Sequence, residues 1–267
     1  MTPTLGSRLV RFVLLGLAWI VLLFLMLPVL AVIPLSFNSE PFLSYPLAGV
    51  SLRWYEAVLS SPQWMGALKS SLIVGIATVL IATPLGTLAA FALVRKRMPH
   101  AQVLMGLLLL PMALPVVVVA LALYIFLTRI GLANSYIGLI IAHCVLAAPF
   151  VLVSVTASLA GFDFAQIRAG ASLGAAPLRV FFFVTLPQIA PGVATGAIFA
   201  FITSWDEVVV ALFVAGPGQR TLPRQMFAGL REQLDPSIMV VATIMIVISV
   251  FLVALGFVLR HRAARRR

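Results

Sequence analysis

The chain contains long apolar runs that are separated by short polar segments. A transmembrane helix needs roughly 20 mostly apolar residues, and runs of this kind recur from one end of the chain to the other. Of the 267 residues, 63% are hydrophobic and only 9% are charged, so the chain cannot form the charged surface that keeps a soluble domain dissolved. We therefore predict an all-α, polytopic membrane protein. The expected spans are Phe12–Ser36, Ser70–Val94, Val103–Leu127, Ser135–Leu159, a fifth that begins near Gln188, and Ser237–Leu259.

Basic residues are distributed unevenly between the two sides that these spans define. Cytoplasmic loops of membrane proteins carry an excess of lysine and arginine, and twelve of the 18 fall on one side if the N-terminus is cytoplasmic. Both termini are therefore expected in the cytoplasm. The net charge of +11 then follows from membrane orientation and requires no nucleic-acid partner. The twelve are Arg8, Arg11, Arg95, Lys96, Arg97, Arg168, Arg179, Arg260, Arg262, Arg265, Arg266 and Arg267, and the other six are Arg53, Lys69, Arg129, Arg220, Arg224 and Arg231.

Residues Arg168–Pro187, with the sequence RAGASLGAAPLRVFFFVTLP, begin with a polar, small-residue interruption between two spans. Gly174 permits a left-handed backbone at the end of a short helix, and Ala175–Pro177 are expected to break that helix. Pro187 is suited to the first turn of the next helix. On residue chemistry alone, the segment is either an ordinary loop or a short helix and turn lying across the membrane face.

The spacing within this segment resembles the EAA coupling loop of ABC importer permeases. In this chain Gly174 is followed ten residues later by Val184 and then by Leu186 and Pro187, and Ala169 matches the first alanine of the motif. Arg168 stands where that family has glutamate, and Gly170 stands where it has the second alanine. The resemblance implies a cytoplasmic coupling loop at residues 161–187 that docks onto an ATPase. The implied docking residues are Arg168, Ala169, Gly170, Gly174, Ala175, Leu186 and Pro187.

A second informative segment, Ser204–Pro223, has the sequence SWDEVVVALFVAGPGQRTLP. Its adjacent acids lie about 18 residues beyond Pro187, which is roughly 27 Å of helix, so they are expected in the outer half of the membrane or at its face. Acids at such depth are either functional or paired. Ser204, Trp205, Asp206 and Glu207 are therefore candidates to line a substrate pathway. The alternative is a structural pairing of the two acids with Arg220, Arg224 or Arg231.

The same segment resembles the polyamine branch of the ABC permeases, in which an acidic pair is followed by three valines, a Gly-Pro turn and a later Leu-Pro. No nucleophile elbow, Walker A loop or metalloprotease helix is present in the sequence. We therefore predict no catalytic residue, no metal site and no cofactor bound by the chain. His143 precedes Cys144, but adjacent residues point to different faces of a helix, so we interpret His143 as a packed, hydrogen-bonded histidine.

Together the resemblances imply that residues 1–267 form one transmembrane permease domain with the type I ABC importer fold. They imply a non-enzymatic permease subunit in a bacterial inner membrane, which imports a polyamine-like or another small charged solute. Its expected partners are an ABC ATPase dimer that binds ATP and Mg, a second permease subunit, an extracytoplasmic binding protein and the lipid bilayer. The alternative is an ion-driven carrier or a channel that works without an ATPase, although the inverted repeats of many carriers are not evident.

Overall fold

The computed structural model describes residues 5–42, 45–95, 100–232 and 235–264. Lys96, Arg97 and the arginines at 265–267, which contribute to the charge bias above, lie outside these ranges. Within them the regular structure is helical, and the strand pairing is limited to an isolated bridge between Asn38 and Val50. The helices are α1 (Leu5–Leu35), α2 (Arg53–Ser60), α3 (Pro62–Val94), α4 (Ala101–Ala113), α5 (Val116–Arg129), α6 (Tyr136–Leu159), α7 (Ala165–Ser172), α8 (Pro177–Val180), α9 (Leu186–Trp205), α10 (Val209–Val214), α11 (Leu222–Glu232) and α12 (Ser237–Ala264).

Five stretches of helix among the described residues are long and apolar enough to cross a membrane. They correspond to the first, second, fourth, fifth and sixth predicted spans. They are Val10–Leu35, Pro62–Val94, Tyr136–Leu159, Pro177–Trp205 and Ser237–Val258. The all-α, polytopic prediction is confirmed. The span predicted to begin near Gln188 starts earlier, because α8, a π-helical turn at Phe181–Thr185 and α9 follow one another without a break.

The predicted third span, Val103–Leu127, is divided between two helices. It consists of α4 and α5, which are bent by 105° relative to each other and together bring the number of candidate spans to six. Leu114 separates them in an extended conformation, with φ −84° and ψ 147°. A residue before proline is pushed towards this conformation, and proline has no N–H to continue a helix. Pro115 therefore ends the first helix and begins the second.

The backbone contacts divide the chain into two compact units. The smaller comprises Met1–Ser61 and Gly229–Ile246. In this unit the Tyr55 hydroxyl lies 2.8 Å from Ser36 Oγ, and the Tyr55 ring packs 5.1 Å from the ring of Phe37. These contacts hold α2 against the end of α1.

The larger unit comprises Pro62–Ala228 and Val247–Arg267, and its centre is formed by α3, α6 and α9. These three helices approach closely because glycines face the neighbouring backbones. An ideal Cβ on Gly192 of α9 would lie 2.8 Å from the Ser154 carbonyl of α6. Small residues allow this approach in membrane helices, where van der Waals packing drives association. The three helices carry the polar segments of interest at their ends.

Candidate functional site: a coupling segment and the end of a span

The coupling segment begins with α7, which ends in a Schellman turn. Gly174 has φ +79°, so the predicted left-handed conformation is confirmed. The Ala175 N–H donates to the Gly170 carbonyl at 3.1 Å, and the Gly174 N–H donates to the Ala171 carbonyl at 3.0 Å. This pair of bonds satisfies carbonyls that would be left free at the end of a helix. The turn therefore fixes the direction in which the chain enters α8.

Gly170 has a packing role that explains its departure from the expected alanine. An ideal Cβ at this position would lie 2.9 Å from Cγ2 of Val180, closer than ordinary van der Waals contact. Glycine therefore lets α7 lie against α8. Glycine weakens a helix by roughly 1 kcal/mol relative to alanine, and the close contact between α7 and α8 offsets this cost.

The segment between α8 and α9 widens into a π-helical turn. A proline at position 187 lacks the N–H that would bond the carbonyl four residues earlier, and its ring collides with that carbonyl. The Leu186 N–H donates instead to the Phe181 carbonyl, five residues earlier. Such π-turns are frequent at functional sites. Pro187 lies in the first turn of α9, as the sequence predicted.

The coupling segment exposes large apolar side chains on both sides of its turn. Leu173, 88% exposed, and Leu178, 72% exposed, flank the Gly174 turn. The same segment has a groove of about 540 Å³. Two predicted docking residues, Gly170 and Ala175, line it together with Arg179, Val180, Phe183 and Val184.

The other predicted docking residues lie outside the groove. Arg168 lines a separate cavity, Ala169 is exposed on α7, Gly174 forms the left-handed turn, and Leu186 and Pro187 belong to the start of α9. The structure therefore brings together only part of the predicted set.

Sequence reasoning missed an aromatic cluster that joins the coupling segment to α3. The Phe91 ring lies 6.4 Å from the ring of Phe164 and 5.6 Å, edge to face, from the ring of Phe181. Aromatic pairs in this range of distances contribute beyond their buried area. The run of three phenylalanines after α8 was the only signal in the sequence, and it did not indicate which ring turns inward.

The second candidate site lies where α9 ends. Ser204 is buried, and its Oγ lies 2.7 Å from Nδ1 of His143 on α6, so the predicted hydrogen-bonded histidine is confirmed. Trp205 is completely buried, and its ring stacks on Phe201 with 5.5 Å between centroids. These side chains face the packed helices. Neither is on the surface of the isolated chain.

The two acids that follow differ in their surroundings. Glu207 Oε1 accepts a hydrogen bond of 2.8 Å from the Val210 N–H and so satisfies one of the backbone donors left free in the first turn of α10. Asp206 is an exposed residue, and its carboxyl group is still partly desolvated. This desolvation is the main cause that raises the pKa of Asp206, and repulsion from Glu207 adds to it, whereas a backbone hydrogen bond opposes it.

Two of the arginines considered as partners of these acids bond to neutral groups. Arg224 Nη1 donates to the Gly216 carbonyl at 2.7 Å, and Arg220 Nη1 lies 3.4 Å from Gln225 Oε1. Burial and the nearby Arg220 lower the pKa of Arg224. The loop after α10 is therefore organised by arginine-to-amide and arginine-to-carbonyl contacts.

Comparison with known proteins identifies the family. Residues 82–267 match the family described as "Binding-protein-dependent transport system inner membrane component". The chain belongs to this family. It is therefore a multi-pass inner-membrane permease subunit of an ABC importer, a transport component rather than an enzyme.

Curated relatives resemble the chain over most of its length. The spermidine/putrescine permease protein PotC of Escherichia coli K12 is 31% identical over 230 residues, which cover 86% of this chain and 87% of PotC. The putrescine permease protein PotI of the same strain is 33% identical, with 84% and 82% coverage. The molybdenum permease protein ModB of Mycobacterium bovis is 31% identical, with 80% and 88% coverage.

Solved structures support the fold. A bacterial ABC transporter involved in the import of the acidic polysaccharide alginate has a TM-score of 0.72 at 16% identity, covering 98% of this chain and 99% of that one. The methionine ABC transporter MetNI, in an inward-facing form, has a TM-score of 0.57 at 17% identity, with 78% and 97% coverage. At these identities the likeness shows the ABC importer permease fold alone.

Proposed function

We propose that the chain is one transmembrane permease domain that couples to a separate ATPase through residues 161–187. The observation that carries this proposal is the Schellman turn at Gly174, which is flanked by two exposed leucines in a segment that also has a groove. Exposed apolar side chains around a rigid turn are typical of a protein-docking surface. The ATPase, as a dimer, would bind ATP and Mg, and its closure would move the turn.

A site-specific cross-link tests this docking. Cys144 is the only native cysteine, so Cys144→Ala provides a background for Leu173→Cys, labelled with a photoactivatable maleimide. We expect this variant to cross-link to the co-expressed ATPase. Ile137→Cys is the control, because Ile137 is also exposed and apolar but lies at the start of α6, the end opposite the coupling segment. Cross-linking from both positions, or from neither, would contradict the docking assignment.

For the transported solute we propose a small polyamine-like cation. The support is the exposed Asp206 at the end of α9, beside Glu207, and the names of PotC and PotI. A carboxylate pair at the mouth of a span attracts positive charge. ModB has nearly the same identity to this chain, so the acidic residues, rather than overall similarity, favour a cation.

Uptake measurements test the substrate proposal. We expect Asp206→Asn to reduce spermidine or putrescine uptake, because one attractive charge is lost. Glu56→Gln is the control, since Glu56 is an exposed acid on α2, outside both the coupling segment and the end of α9. Unchanged polyamine uptake in Asp206→Asn, or effective competition by molybdate in the wild type, would refute a cation pathway at this position.

The remaining assembly follows from the family. We propose a second permease subunit, identical or homologous, and an extracytoplasmic binding protein, in keeping with the family's description as binding-protein-dependent. One solved neighbour, the alginate transporter, is in complex with a pentasaccharide-bound periplasmic protein. The excess of basic residues on one side supports cytoplasmic termini and a cytoplasmic coupling segment.

A further inference from the structure

The cavity that contains Arg168 is distinct from the groove proposed for ATPase docking. It has a volume of about 530 Å³ and lies between the ends of α3 and α6 and the start of α7. The two sets of lining residues have no member in common. The proposed ATPase docking therefore does not account for this cavity.

Two arginines from different elements line this cavity. Arg95 follows the last residue of α3, and Arg168 lies in α7. The described residues that line the cavity include no acid. Asp163 is close in sequence, but its Oδ1 accepts a hydrogen bond of 2.8 Å from the Ala165 N–H at the start of α7. Two positive groups around one cavity favour an anionic occupant.

The apolar walls of the cavity indicate which class of anion it binds. Leu159, Phe162, Phe164 and Ile167 contribute apolar surface, and Leu159 is the last residue of a membrane span. The Arg95 guanidinium carbon lies 6.0 Å from the centre of the Phe91 ring, which directs the charged group along an aromatic surface. A small free anion would neutralise the arginines but leave these walls uncovered. A phospholipid would place its phosphate at the arginines and its chains beside the spans.

We propose that the cavity between Arg95 and Arg168 binds the headgroup of an anionic phospholipid from the leaflet that faces the coupling segment. Guanidinium groups bind phosphate oxygens through paired, charge-assisted hydrogen bonds, and basic pockets at the ends of spans recognise anionic headgroups. The site gives Arg168 a ligand at the position where the coupling motif has glutamate. The bound lipid would hold α7 against the ends of α3 and α6.

Lipid binding is measured on the full permease chain without any ATPase. A negative result would therefore refute the lipid site without bearing on the proposed ATPase docking. The delipidated chain is titrated in a neutral detergent with phosphatidylglycerol or with phosphatidylcholine of the same acyl chains. Native mass spectrometry reports the bound lipid. We expect phosphatidylglycerol to bind about tenfold or more tightly than phosphatidylcholine, given two basic contacts.

Three variants test whether the two arginines of the cavity bind the phosphatidylglycerol. Arg95→Gln and Arg168→Gln should each weaken phosphatidylglycerol binding by about fivefold. Arg129→Gln is the control, because Arg129 is an exposed arginine at the end of α5 that does not line the cavity. Its phosphatidylglycerol binding should match that of the wild type.

Three outcomes would overturn the proposal. The first is equal affinity for the two lipids, or equal affinity in the cavity variants and the control. The second is displacement of phosphatidylglycerol by millimolar inorganic phosphate, which would identify a free-anion site. The third comes from a separate co-expression with the ATPase. An Arg168→Gln variant that retains phosphatidylglycerol binding but loses ATPase co-purification would assign this arginine to the ATPase.

Discussion

The packing of Val151 between two glycines gives a quantitative prediction about the larger unit. Val151 lies on α6, Gly86 on α3 and Gly196 on α9. An ideal Cβ on Gly86 would lie 2.7 Å from Val151 Cβ and 3.2 Å from the Ala148 carbonyl oxygen. An ideal Cβ on Gly196 would lie 3.0 Å from Val151 Cα. Any side chain at either glycine must therefore push two helices apart.

We expect Gly86→Ala to destabilise the folded chain by about 1–3 kcal/mol, the usual cost of overpacking a filled interior. Gly106→Ala is the matched control, because Gly106 is also a helical glycine but has no atom within 4 Å of an added Cβ. That control should be neutral or slightly stabilising, since alanine favours helix. The midpoint of unfolding in detergent is compared for the two purified variants.

A second substitution tests whether the cost of Gly86→Ala comes from its collision with Val151. Val151→Gly removes the Cβ that an alanine at position 86 would meet, so the double variant should be more stable than the sum of the two single effects predicts. Contacting residues show such coupling of about 0.5–3 kcal/mol. Equal stability of Gly86→Ala and Gly106→Ala, or strictly additive single effects, would refute the close approach of α3 and α6.

Three further predictions concern the coupling segment and the end of α9. Gly174→Ala should destabilise the turn by about 1–2 kcal/mol through backbone strain alone, because an added Cβ has open space there. Gly161→Ala should not destabilise the chain, because an added Cβ at position 161 also has open space. Equal resistance of the Gly174→Ala and Gly161→Ala variants to proteolysis would contradict this prediction. Glu207→Ala should cost about 0.5–1.5 kcal/mol, because the Val210 N–H loses its hydrogen-bond acceptor, and unchanged thermal unfolding would exclude that role. The raised pKa of Asp206 means that the folded chain binds the proton more tightly than the unfolded chain. Its penalty to stability therefore grows as pH rises from 3.8 through the folded pKa. Asp206→Asn should then be more stable than wild type at neutral pH, with the difference vanishing below pH 3.8; a difference independent of pH would contradict the raised value.

Local chemistry made some elements predictable from the sequence. The fourth span was expected at Ser135–Leu159, and α6 runs from Tyr136 to Leu159 with Ser135 as its cap. The Ser135 Oγ accepts a hydrogen bond from the Gly138 N–H, so the helix start is encoded by one neighbouring side chain. The left-handed Gly174 was predictable for the same reason, since a glycine after a short helix has few alternatives.

The bend between α4 and α5 depended on contacts that are distant in sequence. Prolines at 111 and 115 are compatible with either a kinked span or a broken one. The broken form lets Val119, Ala120 and Leu127 of α5 pack with Val210 and other buried residues of α10. Nothing in either local sequence indicated that pairing. The close contact of Gly170 with Val180 was unpredictable for a similar reason, because it depends on how the turn folds α7 back onto α8.

ATP-dependent uptake by reconstituted proteoliposomes tests the central claim most directly. The permease is reconstituted with its binding protein, with or without the partner ATPase, and compared with Gly174→Arg, which forces a large side chain into the left-handed turn. We predict uptake only with the ATPase and ATP, and its loss in Gly174→Arg while membrane insertion is retained. Uptake without the ATPase, as expected of an ion-driven carrier or a channel, or full ATP-driven uptake by Gly174→Arg, would contradict coupling through this segment.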